Sequence, residues 1–101
     1  MADFPIMCTL QPAELSARAL ALLPGVVKRA RARSQIEHGY RLEFAASSET
    51  LHAIVEMIDA ERQCCRFLRF RLDVESGERS ITLDVTGPTG TAEFLTDLFG
   101  K

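Results

Sequence analysis

The chain has no tryptophan, one tyrosine and six phenylalanines in 101 residues, too few aromatics for a broad platform on which nucleic-acid bases would stack. Its 14 acidic and 12 basic side chains nearly cancel, so no global field draws it to nucleic acid or to an anionic membrane. The longest apolar run is Ala19 to Leu23, far short of the roughly 20 residues that cross a bilayer. The opening Met1-Ala2-Asp3-Phe4-Pro5-Ile6 lacks the positive and apolar regions of a signal peptide. Only three cysteines are present, an odd number with two of them adjacent. That is a poor disulfide framework, and reduced thiols in the cytoplasm are the expectation. No internal repeat, linker or low-complexity tract interrupts the chain, so one domain over residues 1–101 is expected.

What is present is alternation of two periods. Phe4, Ile6, Cys8 and Leu10 follow a weak period of two, a short strand or extended arm with Cys8 on the apolar face. Leu15, Ala19, Leu22, Leu23 and Val26 follow a helical spacing, with Glu14 and Arg18 on its flank. The spacing predicts a helix over about 12–23, which Pro24-Gly25 breaks or kinks. Lys28 to Arg33, with four cations, reads equally as a last helical turn or an exposed strand. Read as a patch for phosphates it is weaker than as a solvated face.

Tyr40, Leu42 and Phe44 then alternate with Arg41 and Glu43, a strand over 40–45 paired with the stretch ending at Ile36. Glu37-His38-Gly39 would be the tight turn between them, with Gly39 taking the positive φ. Ser47-Ser48-Glu49 is an N-cap with an acid in the first turn. The helix that follows carries Leu51, Ile54, Val55 and Ile58 on one stripe, which position 65 shares. Phe67 to Val74 switches to period two, and Ile81, Leu83 and Val85 return after a turn at Ser76-Gly77-Glu78. Thr86-Gly87-Pro88-Thr89-Gly90 opens a last helix with Phe94, Leu95, Leu98 and Phe99. The sum is an α+β two-layer sandwich, a mainly antiparallel sheet with two or three helices on one face.

Chemistry concentrates where the second helix gives way to a strand, in Glu61-Arg62-Gln63-Cys64-Cys65-Arg66. Arg62 and Arg66 would favour thiolate over thiol, while Glu61 works the other way unless it pairs with a cation. Adjacent side chains on a helix diverge, so Cys64 and Cys65 can share an ion only near a helix end. A third thiolate would have to be Cys8. Three thiolates, or two with Glu61, suit Zn(II) or a softer ion. Neither His38 nor His52 is well placed to join them. Arg62 near the middle of the apolar stripe is an unusual position for a cation, and a pocket or subunit contact there would account for it.

Nearly the whole chain resembles a group of small bacterial proteins of similar length with no established activity. The resemblance rests on Cys8-Thr9-Leu10, Glu14-Leu15-Ser16-Ala17-Arg18, Gly39-Tyr40, the block from Glu61 to Leu72 and Thr86-Gly87-Pro88-Thr89-Gly90. The vicinal-cysteine block is the specific part. Where the group often has proline after the two cysteines, this chain has Arg66, which adds a charge beside the thiols. The resemblance implies the fold and a site at Cys8, Cys64, Cys65 and Glu61, without a reaction.

Three functions follow as expectations. The first is a thiolate-based metal-binding protein using Cys64, Cys65, Cys8 and Glu61, with Arg62 and Arg66 in support. The second is a structural or partner-binding module with buried cysteines, homodimeric through an edge strand. The third is a thiol redox or transfer enzyme with Cys64 as nucleophile; its substrate is unknown from sequence.

Overall fold

The structure is a computed structural model that describes residues 22–64, 67–77 and 80–99. The arm around Cys8 and the helix expected over 12–21 lie outside the described residues. Residues 22–29 form a helix, α1. Pro24-Gly25 therefore does not end the helical pattern. Leu23 and Val26 are 0% and 3% exposed, and burying each side chain contributes roughly 1.5–3 kcal/mol, enough to override the weak helix propensity of the pair. The basic run divides between both of its readings. Lys28 and Arg29 close α1, and Ala32–Ile36 is strand β1.

β1 is joined by a tight turn to β2 (Gly39–Phe44). His38, not Gly39, takes the positive φ, at 59°; histidine is among the side chains that tolerate that region. Gly39 is glycine for a different reason. A Cβ there would collide with the Val85 carbonyl oxygen and lie 2.8 Å from Thr86 Cα, so the backbone of the neighbouring strand occupies its place.

Ser47 caps helix α2 (Ser48–Cys64), accepting the Thr50 N–H on its Oγ at 3.1 Å, with Glu49 in the first turn. The strands β3 (Arg69–Val74) and β4 (Ile81–Thr86) form the second hairpin. Helix α3 spans Thr91–Phe99. The Thr-Gly-Pro-Thr-Gly turn before it is internally satisfied. Both the N–H and the hydroxyl of buried Thr91 donate to the Pro88 carbonyl, at 3.0 and 2.7 Å.

The sheet is antiparallel throughout, in the order β1-β2-β4-β3. β2 and β3 therefore run parallel on either side of β4, with α2 as the crossover between them, a split β-α-β unit. Register places Leu42, Leu83 and Leu72 in one row across the sheet, with Phe44, Ile81 and Val74 in a second. Leu42, Phe44 and Leu83 are 0% exposed and Ile81 is 2%. They pack with Leu23, Ile54, Met57 and Leu95 from the three helices into one core. The opposite face is polar, and its central row is Arg41, Asp84 and Arg71. The fold is the α+β sheet with helices on one face that the two periods imply. None of its helices is long and apolar enough to cross a membrane, among the described residues.

Candidate functional site

The C-terminal end of α2 carries the sequence-nominated chemistry, and the helix is rotated from the phase that its apolar residues suggest. Ile54 and Met57 are 0% exposed and Glu61 is 1%, while Val55 is 50% exposed. The buried line runs 54, 57, 61, and position 64, the last of the helix, lies three residues further on. Phase measured from Leu51, Val55 and Ile58 puts Cys65 on the inner stripe and Cys64 on the flank. Phase measured from the residues actually buried gives position 64 the same side as Met57 and Glu61.

Glu61 is the clearest departure from a surface reading. Its side chain is buried, so it does not belong to the solvated face of the helix. A carboxyl group is rarely held in an interior, where losing water disfavours its charged form unless other groups compensate. Burial of a residue in the Glu-x-x-Cys-Cys block is the observation that sequence reasoning missed. The signal was the spacing of 54, 57, 61 and 64, masked by the greater hydrophobicity of Val55 and Ile58.

Arg62 lies on the outer side. It donates from Nε to Asp59 Oδ1 at 2.9 Å, with Nη2 at 2.8 Å from the same oxygen, one helical turn away. It closes one end of an open apolar groove of about 790 Å³ between α2 and β3. Leu51, Val55 and Ile58 form the helix wall of that groove, and Leu72 and Val74 the strand wall. Of the stripe, Leu51, Val55 and Ile58 thus line a surface groove while Ile54 enters the core, and the cation at its end is solvated and paired.

Cys8, Cys65 and Arg66 lie outside the described residues, and only the place of Cys64 in the helix is described. His52 sits on the exposed flank of α2 beside the groove and His38 in the β1–β2 turn. Among the described residues, no three His, Cys, Asp or Glu side chains are grouped closely enough to share a metal ion. A second polar cluster occupies the open sheet face. Arg41 donates from Nε and Nη2 to the two oxygens of Asp84, at 2.8 and 3.0 Å. This hydrogen bonding holds the Asp84 carboxyl below its usual range against the opposing effect of burial, helped by the charges of Arg41 and Arg71. The pairing also raises the Arg41 guanidinium, which was charged already. The cluster is a satisfied ion pair with a second cation beside it.

No family model, curated protein or solved structure matches this chain. The functional reading therefore stands on its own residues.

Proposed function

We propose that this protein binds a borderline or soft metal ion, Zn(II) or a softer one, through thiolates gathered at the C-terminal end of α2. Cys64 and Cys65 are the central ligands, Cys8 supplies a third thiolate, and Glu61 is a further ligand or an orienting group. The observation that carries this reading is the burial of Glu61, three residues before Cys64 on the inner line of the helix. A carboxylate beside thiolates in an interior is a donor set suited to a cation. α2 ends on Cys64 itself, and at a helix end adjacent side chains are released from their roughly 100° divergence. Arg66, and Arg62 to the extent that Asp59 leaves its charge uncompensated, would hold the thiols toward thiolate.

The test is a Zn(II) titration of the reduced, anaerobically purified chain, with elemental analysis. We expect a stoichiometric ion on the wild type and none retained by Cys64→Ser. Glu61→Gln should weaken binding by about 10–100-fold if the carboxylate orients the site, and more if it ligates. A wild-type chain that holds no metal, or a Cys64→Ser variant that holds a full equivalent, overturns the proposal.

A further inference from the structure

The two sheet edges offer different surfaces to another chain, and β3 has a pattern suited to one partner in particular. From Arg69 to Glu75 the residues read Arg-Phe-Arg-Leu-Asp-Val-Glu. About Leu72 this run is antisymmetric in charge and symmetric in hydrophobicity. The two positions that precede Leu72 on the open face are cations, Arg69 and Arg71; the two that follow, Asp73 and Glu75, are anions. Phe70 and Val74 flank Leu72 on the helix face.

The geometry points to a second copy of this chain, docked by antiparallel pairing of β3 with β3 about a two-fold axis through Leu72. In that register, residues whose numbers sum to 144 stand opposite each other. Arg71 meets Asp73, Arg69 meets Glu75, Phe70 meets Val74, and Leu72 meets itself. Each charge pair occurs twice by symmetry, as an isologous interface requires. Directly opposed residues in an antiparallel pair lie about 4.5–5.5 Å apart at Cβ, within reach of ion pairing and apolar contact.

Three further features fit the same occupant. Among the described residues β3 is an edge strand, paired with β4 alone, so its outward backbone groups can take a new strand. Among the described residues, Arg69, Asp73 and Glu75 have no ion-pair partner within their own chain. The apolar groove between α2 and β3 runs alongside this edge, with Val55 50% and Val74 49% exposed. In the two-fold arrangement the two grooves adjoin over the paired Leu72 residues, and the α2 helices flank the axis. A peptide of uniform charge or a polar partner would match the groove or the charges, and this register matches both. The inference is independent of metal binding.

The test is sedimentation equilibrium on the full reduced chain, with Arg71→Asp, Asp73→Arg and the double swap alongside the wild type. The wild type should show twice the chain mass. Each single reversal places like charges opposite one another twice and should weaken association by about tenfold or more. The double swap restores opposite charges and should return most of the lost affinity, which a merely misfolded variant could not do. Circular dichroism reports folding for each. A monomeric wild type at tens of micromolar, on the order of ordinary weak-dimer affinities, overturns the inference. So does a double swap that stays as weak as the single reversals.

Discussion

At one edge of the sheet, β1 sets Arg33 opposite Leu42 and Gln35 opposite Tyr40 on the helix side. At the other edge, β3 sets Phe70, Leu72 and Val74 there. The one cation of β1, Arg33, and Arg31 just before the strand are both engaged inside the chain. The Arg33 guanidinium lies 5.5 Å over the Phe99 ring, and Arg31 lies 3.7 Å from Glu43. Phe99 in turn packs edge-on against Tyr40, whose hydroxyl meets Thr96 Oγ1 at 2.6 Å. The strand itself contains no acid, and the nearest, Glu37, belongs to the turn. An edge of this kind has no charge pattern that pairs with a second copy of itself. On β3 the charges stand in antisymmetric order, with Arg71 beside Asp84 and, among the described residues, no ion-pair partner for Arg69 or Asp73, and an apolar groove runs alongside. Similar lengths of edge strand thus serve opposite ends. On one, the single cation is engaged by an aromatic ring of its own chain, and on the other the charges change sign about Leu72.

The comparison can be broken first at the residue on which the sheet centre depends. Leu83 is fully buried between its register partners Leu42 and Leu72. Leu83→Ala should cost about 2–5 kcal/mol and loosen both edges together, as urea denaturation and amide exchange in β1 and β3 would report. Protection lost at one edge alone would mean that the edges are supported separately.

The two hairpin turns sharpen the contrast next. Gly39→Ala, where β2 leaves the turn that serves β1, drives a methyl into the Val85 backbone and should cost about 3 kcal/mol, the upper end of ordinary overpacking. Gly77→Ala, in the turn that serves β3, meets nothing within 4 Å but keeps a φ of +79°, for a cost of about 1 kcal/mol. Denaturation midpoints in the reverse order would mean that turn conformation, not strand approach, governs these hairpins.

The smallest effect concerns the open face that joins the edges. Asp84 titrates below its ordinary value when folded, chiefly because Arg41 donates hydrogen bonds to it. The ion pair therefore stabilises the fold fully above the unfolded carboxyl value of about 3.9, and that contribution is lost as pH falls through the lower folded value. The stability difference between wild type and Asp84→Asn should be present at neutral pH and vanish in acid. A difference that grew as pH fell would contradict the assignment.

Much of this architecture was legible beforehand. The alternation of Tyr40, Leu42 and Phe44 and of Ile81, Leu83 and Val85 marked strands whose inward residues are buried, Tyr40 only half so. Ser47 marked the start of α2. The candidate site was legible as a motif but not as a place. Glu61 was visible in Glu-x-x-Cys-Cys, yet a carboxylate ordinarily faces water, so nothing local announced its burial. Val55 misled in the opposite sense, because an apolar side chain lining a surface groove is indistinguishable in sequence from one in a core. The charge pattern of Arg69 to Glu75 was equally plain, and it gained meaning only with the strand order.

The sequence by itself determined the periods, the caps and turns and the sides of each strand, because these depend on neighbours within a few residues. It also put Glu61 and Cys64 within one turn of each other in a helical stretch. Only the tertiary structure decided which side of α2 faces inward, why Gly39 must be glycine and which strand stands at the edge. Those depend on what lies across the sheet or beneath the helix, on residues distant in the chain, and a one-dimensional pattern does not contain that information.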